Sequence, residues 1–196
     1  LAHYMNDPEY TNIVLTGDVH TANQERAGLK TRDQAKTFIY AFLYGAGAAK
    51  IGKVVGGTAK HGQQLITRFL NNMPALKHLR MLVSKEAAGD TIKALDGRLL
   101  HIRSEHAALN TLLQGAGAIV CKQWLVHIME RVIKAKLDVR LVASIHDEYQ
   151  FEVAIPDIER FCRLTKEAMT QTTKTLKMKC ELDCDYKVGK TWAETH

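Results

Sequence analysis

Prolines are scarce, three in 196 residues, so most of the chain is free to run in uninterrupted helices. No apolar run approaches the length of a membrane span, and no segment has the layout of a secretory signal. Cys121, Cys162, Cys180 and Cys184 include no C-x-x-C pair, and no histidine pair completes a zinc pattern. That excludes a zinc ribbon and leaves reduced, packed thiols, as in a cytosolic protein. Internal repeats and low-complexity tracts are missing too. So is an initiator Met: the chain begins at Leu1, inside a segment that reads as helix, as a piece cut from a longer protein would.

What is present is the composition of a globular protein, 46% hydrophobic and 24% charged, long enough for one sizeable core or two small lobes. Lys and Arg number 27 against 21 Asp and Glu, and a net charge of +6 with a pI near 9.1 suits a polyanionic partner.

The clearest local signals fall on residues 31–45. Thr31 stands at an N-cap position with Gln34 three residues on, the capping-box spacing, and Gly45 supplies a C-terminal stop. Between them Arg32, Lys36, Tyr40 and Tyr44 recur every four residues and line one helix face, while Phe38, Ile39, Phe42 and Leu43 can anchor another. At ~1.5 Å per residue the polar stripe spans roughly 18 Å. Two cations near the positive end of the helix dipole make a seat for a polyphosphate, and two phenols further along offer flat surfaces for a sugar and a base. The competing reading is an amphipathic helix with snorkelling cations.

Around this helix the spacing predicts further elements. Leu1 to Thr16 reads as helical with a break at Asn6-Asp7-Pro8, and Gly17-Asp18-Val19-His20 as a turn into a short helix ending at Gly28. Gly47 to Lys53 matches G-x-x-x-x-G-K, but Val54 replaces the Ser or Thr of a P-loop and the segment comes after a helix instead of a strand. The glycines there suit sharp turns and close backbone approach, as to a nucleic-acid strand. Lys60–Phe69 and Ala75–Ala88 read as helices, and 95–102 as a hairpin turning at Asp96-Gly97. Glu105 to Lys136 reads as one helical stretch, interrupted near Gly115-Ala116-Gly117, with His106, Asn110 and Gln114 on a polar face able to donate to base edges in a minor groove. Residues 141–153 read as two strands bending at His146-Asp147-Glu148. Two carboxylates at the tip of a buried hairpin would make a hard-oxygen site for Mg²⁺. A helix from Pro156 to Lys174 and a short strand over 179–185 complete the pattern.

Taken in order, these blocks resemble the family A, polymerase I-type DNA polymerases, and most of all those of short-tailed phages. Arg32, Lys36, Tyr44 and Gly45 fit Arg-x₃-Lys-x₇-Tyr-Gly, the family's motif B, and Ile145-His146-Asp147-Glu148 resembles its motif C. The related single-subunit RNA polymerases have His-Asp-Ser there, so Glu148 favours DNA polymerase. Asp18-Val19-His20, residues 95–98 and the His106/Asn110/Gln114 stripe are similar to further blocks of the family.

The resemblance implies an α+β fold, helical fingers joined to a palm with an antiparallel sheet. Its expected divisions are a palm-associated helix over 1–16, fingers over 17–90, and palm with tail over 91–196. It implies template-directed addition of deoxynucleotides to a primer 3′ end by two-metal phosphoryl transfer. His20, Arg32 and Lys36 would grip the dNTP triphosphate, Lys36 also serving catalysis. Tyr40 would lie against the sugar and Tyr44 near the templating base. Asp147 and Glu148 would hold Mg²⁺, His146 would lie near the primer terminus, and His106, Asn110 and Gln114 would touch primer-template DNA. His106 departs from the Arg of cellular relatives.

Leu1-Ala2-His3-Tyr4-Met5 resembles the residues immediately C-terminal to motif A in this family, so the motif A carboxylate, its strand and the thumb are expected on an upstream portion. One metal ligand is therefore missing, and catalysis would need that portion as partner. The exposed sheet edge it leaves implies marginal solubility. A processivity factor is a further expected partner, a membrane is not, and the expected location is cytoplasmic, the host cytoplasm if viral. Two rivals stand beside this reading: a non-catalytic nucleic-acid-binding module derived from a polymerase, and an NTPase using the glycine segment.

Overall fold

The computed structural model describes residues 1–195, which cluster into two compact units, Leu1–Ala116 and Gly117–His196. Unit 1 begins with α1 (Ala2–Met5) and α2 (Pro8–Thr16), separated at Asn6, whose φ of 50° ends the first helix. Then come α3 (Val19–Ala27), α4 (Arg32–Leu43), α5 (Ala48–Val54), α6 (Ala59–Asn71) and α7 (Pro74–Ala87). A small antiparallel hairpin is next, β1 (Thr91–Lys93) with β2 (Leu99–His101). Its connection is a turn over 94–97 closed by the Gly97 amide donating to the Ala94 carbonyl at 2.9 Å, so the first strand starts earlier than the Asp-Gly signal suggests.

Caps set these helices. Asp7, Asp18, Thr31 and Thr58 each accept a first-turn amide with the side chain. The capping box at Thr31 forms by half: Thr31 accepts from the Gln34 amide at 3.2 Å, but the Gln34 side chain accepts from the Lys30 amide instead of Thr31's. At the far end the Gly45 amide reaches the Phe42 carbonyl and the Ala46 amide the Ala41 carbonyl, a Schellman closure with Gly45 at φ 77°.

The core of unit 1 is aromatic at its centre. Phe38 and Phe69 are fully buried and meet edge to face at 5.1 Å; Phe42 packs against both, and the Arg80 guanidinium lies over its ring at 4.9 Å. The glycine segment holds a helix, α5, and no phosphate-cradling loop. The close approach expected there is to protein: a Cβ on Gly62 would collide with the Ala48 carbonyl oxygen, and one on Gly52 with the Thr58 carbonyl oxygen, so α5 and α6 touch through glycines.

A 3₁₀ turn (Glu105–Ala107) leads into α8 (Ala108–Ala135), which runs unbroken through Gly115 and Gly117. The expected interruption does not occur, since i→i−4 bonding continues where the flanking residues are strong helix formers. In unit 2, β3 (Val139–Ile145) and β4 (Glu148–Val153) form the second hairpin, and a turn (Ile155–Asp157) starts α9 (Ile158–Thr175). Trp124, Ile128 and Val132 of α8 join Phe161, Ala168 and Met169 of α9 in one cluster, against which Tyr149, Phe151 and Val153 pack from β4. The Trp124 indole donates to the Thr165 carbonyl at 2.9 Å, which satisfies its polar edge inside the core.

Residues 179–185 are not a strand. The Leu182 amide donates to the Thr173 hydroxyl at 3.2 Å, so the segment binds to α9 through a side chain instead of joining a ladder. It is held by Leu182 and Cys184 against the cluster and ends in α10 (Trp192–Thr195). All four cysteines are free, and no helix among the described residues is long and apolar enough to cross a membrane.

Candidate nucleotide and metal sites

Helix α4 carries the first site. Ala35, Phe38, Ile39 and Phe42 are buried on its inner face, which turns Arg32, Lys36, Tyr40 and Tyr44 outward as an exposed stripe. Lys36 makes no ion pair among the described residues, so its ammonium is available to an anion. His20, in the first turn of α3, stands beside the stripe with its ring 6.3 Å from that of Tyr40. Its Nδ1 is buried with no hydrogen-bond partner in the protein.

Two connections here have no local signal in the sequence. Asp18, the N-cap of α3, binds Arg32 side-on, with Nε 2.6 Å from Oδ2 and Nη2 3.2 Å from Oδ1. This guanidinium holds the Asp18 carboxyl well below the usual carboxylate range. At the other end of the stripe the Gln114 amide donates to the Tyr44 hydroxyl at 3.1 Å across 70 residues of sequence. A Cβ on Gly45 would collide with the His106 carbonyl oxygen, so the end of α4 rests directly on the 3₁₀ turn.

His106 is exposed in that turn, ahead of α8, while Asn110 and Gln114 lie within the helix, half-buried and exposed respectively. The structure thus brings His20, Arg32, Lys36, Tyr40 and Tyr44 onto or beside one face, and joins His106 and Gln114 to its far end.

The carboxylates belong to unit 2. His146 and Asp147 form the two-residue turn between β3 and β4, and Glu148 opens β4 opposite Ile145. His146 sits at φ 51°, an uncommon conformation for a residue with a Cβ. A one-residue register shift between Leu141 and Ala143 marks a bulge that re-aims the strand on its way to the tip. Asp147 is exposed, and Glu148 Oε1 accepts from the Gln150 side chain. The hairpin is less buried than its apolar run predicts: β4 covers the helices, but Leu141 and Val142 of β3 are 40% and 64% exposed.

Among the described residues no group of three or more His, Cys, Asp or Glu side chains could hold a metal. The donor set still suits Mg²⁺ of one particular kind. That ion keeps waters and is commonly bound by one or two carboxylates together with substrate phosphates, not by an all-protein cage. Two hard-oxygen carboxylates side by side on a solvent-facing turn match that role.

The exposed stripe of unit 1, with two cations and two phenols, has chemistry suited to a nucleoside polyphosphate, and the carboxylate-tipped hairpin of unit 2 has chemistry suited to a divalent cation. The comparisons are narrower. Residues 1–194 match the family model described as DNA polymerase family A, and the chain belongs to that family. It is 42% identical to the DNA-directed DNA polymerases of Enterobacteria phage T3 and Escherichia phage T7, each match covering all of this chain and 31% of the relative. The DNA polymerase I of Geobacillus stearothermophilus is 27% identical over 98% of the chain. Among solved structures, the POL domain of Pol1 from M. smegmatis, in complex with DNA primer-template and dNTP, aligns with a TM-score of 0.78. That match has 21% identity and covers 87% of this chain and 34% of the other, which makes the fold an α+β polymerase portion. The chain spans about a third of the length of the phage relatives.

Proposed function

We propose that this chain is the fingers and most of the palm of a template-directed DNA polymerase, which extends a primer 3′ end by phosphoryl transfer and needs an upstream portion to do so. The observation that carries the reading is the α4 stripe: cations at the positive end of the helix, phenols toward the other, all facing outward while the opposite face is anchored in the core. Membership of the family supports it.

In this reading residues 17–90 are the fingers, and 1–16 and 91–196 belong to the palm. Arg32, Lys36 and His20 bind the triphosphate of the incoming dNTP. The charge of Arg32 and Lys36 offsets what develops on the phosphates, and the Lys36 ammonium can give a proton to the pyrophosphate that leaves. Tyr40 lies against the sugar, and Tyr44 packs at the templating pair, steadied by Gln114. His106, Asn110 and Gln114 touch the minor groove of primer-template DNA. His146 lies at the primer terminus.

Asp147, with Glu148, would hold Mg²⁺, whose chemistry is to acidify the attacking 3′-hydroxyl and neutralise charge on the phosphates. The further carboxylate and the thumb belong to the upstream portion. Exposed Leu141 and Val142 on β3 give that portion an apolar surface to cover. A processivity factor and a cytoplasmic setting go with the same reading.

Primer extension with Mg²⁺ and four dNTPs tests it. The chain alone should not extend, the chain with an upstream polymerase portion should, and Asp147→Ala should abolish extension in the mixture. Binding of primer-template with no extension in any mixture would replace the proposal with a nucleic-acid-binding module.

A further inference from the structure

The Asp18 carboxylate is saturated by protein donors from two helices. Its Oδ1 accepts from the His20 amide at 2.9 Å and the Thr21 amide at 3.4 Å, and its Oδ2 from the Thr21 hydroxyl at 3.0 Å. These bonds fix the start of α3, the turn that presents His20. The same two oxygens take the Nε and Nη2 edge of Arg32, the first residue of α4. One carboxylate therefore ties together the N-termini of two helices and the two basic side chains that flank them.

The side-on geometry decides what Arg32 can still do. A guanidinium has five N–H donors in a rigid fork, and using Nε with one Nη2 hydrogen leaves both Nη1 hydrogens and the other Nη2 hydrogen for an anion. The pair is half exposed, with side-chain accessibilities of 50% for Arg32 and 42% for Asp18, so the free edge can face a ligand while the bound edge sets its direction. A long, rotamer-rich side chain held in advance loses less entropy on binding than one that must be ordered by the ligand. Against this stands the negative charge itself, which repels a polyphosphate. Asp18 spends that charge on Arg32 and on three donors of α3, so orientation is the larger effect.

The geometry points to Asp18 as a positioning residue for the polyphosphate seat: it aims Arg32 and the His20 turn as one unit, so that a nucleoside triphosphate meets a preformed guanidinium and imidazole. This rests on the reading of Arg32 as a triphosphate ligand. Asn and Ser are as good at an N-cap as Asp, so Asp18→Asn and Asp18→Ser keep α3 started while removing the negative charge that pairs with Arg32.

The test is equilibrium binding of a fluorescent dATP analogue, displaced by dATP, to the 196-residue chain with Mg²⁺ present. Circular dichroism melts of each variant confirm folding at the assay temperature. Arg32→Ala should weaken dATP about tenfold, and Asp18→Asn and Asp18→Ser roughly three- to tenfold. In an Arg32→Ala background Asp18→Asn should add no further loss, a dependence that a purely structural role for Asp18 would not show. Unchanged or tighter binding by both Asp18 variants, or full additivity with Arg32→Ala, overturns the positioning role while leaving Arg32 as a ligand. An Arg32→Ala variant that binds dATP normally, or no binding by the unaltered chain, overturns the triphosphate reading and this inference with it.

Discussion

Helix α4 and the β3–β4 hairpin carry the two candidate sites, and they are specified in opposite ways. The helix is written locally: a Thr31 cap, a Gly45 stop and an apolar face at helical spacing, all within 15 residues, orient its stripe. The hairpin is written at a distance. Its tip is placed by Tyr149 and Phe151 packing on Trp124 and Phe161, residues brought from α8 and α9. The lesson is that binding surfaces can ride on a self-sufficient element, whereas the carboxylate turn depends on its supports.

That contrast can be broken first at the turn. Asp147→Ala removes an exposed side chain, so stability should hold while extension by the reconstituted polymerase falls on the order of a thousandfold. Single-turnover extension beside a thermal melt would check both halves. Phe38→Ala, at a fully buried ring touching Phe42 and Phe69, should cost about 3–5 kcal/mol by denaturant unfolding. Trp124→Ala should cost a similar amount and, unlike Phe38→Ala, should disturb the environment of the His146-Asp147 turn, read by NMR shifts of those amides.

Gly45→Ala sharpens the comparison, because it strikes one of the non-local constraints on α4, beside the Asp18–Arg32 pair and the contacts of Phe38 and Phe42 with Phe69. A side chain there meets both a φ of 77° and the His106 carbonyl, so roughly 1–3 kcal/mol of stability should be lost. The Tyr44–Gln114 hydrogen bond should loosen with it. Thr31→Ala removes only a cap and should cost about 1 kcal/mol.

The smallest effect is electrostatic. The folded Asp18 carboxyl is held below its ordinary value of 3.8 by Arg32, so the pair stabilises the fold above that value and the contribution disappears as pH falls through and below it. Melting temperature tracked downward from pH 6 should therefore drop less in Asp18→Asn than in the unaltered chain.

Much of this was legible in the sequence because caps, stops and periodicity act over a few residues. Thr31, Gly45, the α4 stripe and the alternation of Tyr149, Phe151 and Val153 all sit where their local chemistry puts them. The Asp18–Arg32 pair, the Tyr44–Gln114 bond and the contact of Gly45 with the 3₁₀ turn were not, because tertiary packing alone brings those residues together. Two local signals also misled. Gly115 and Gly117 do not interrupt α8, whose helical bonding outweighs their propensity, and residues 179–185 alternate like a strand but give an amide to the Thr173 hydroxyl on α9. Gly47 to Lys53 shows the converse. Its motif suggests phosphate, yet Gly52 serves the contact of α5 with the start of α6, and a Cβ on Gly47 would meet nothing.

The central claim is a division of labour, with triphosphate binding on α4 and metal-dependent chemistry at the Asp147 turn. The most direct test measures dNTP affinity and the rate of the chemical step together, in the mixture with the upstream portion, for Lys36→Ala and Asp147→Ala. The account predicts that Lys36→Ala weakens dNTP binding and slows the step, while Asp147→Ala loses the step and keeps most of the affinity. Extension at the unaltered rate by Asp147→Ala, or unchanged dNTP affinity in Lys36→Ala, would contradict it.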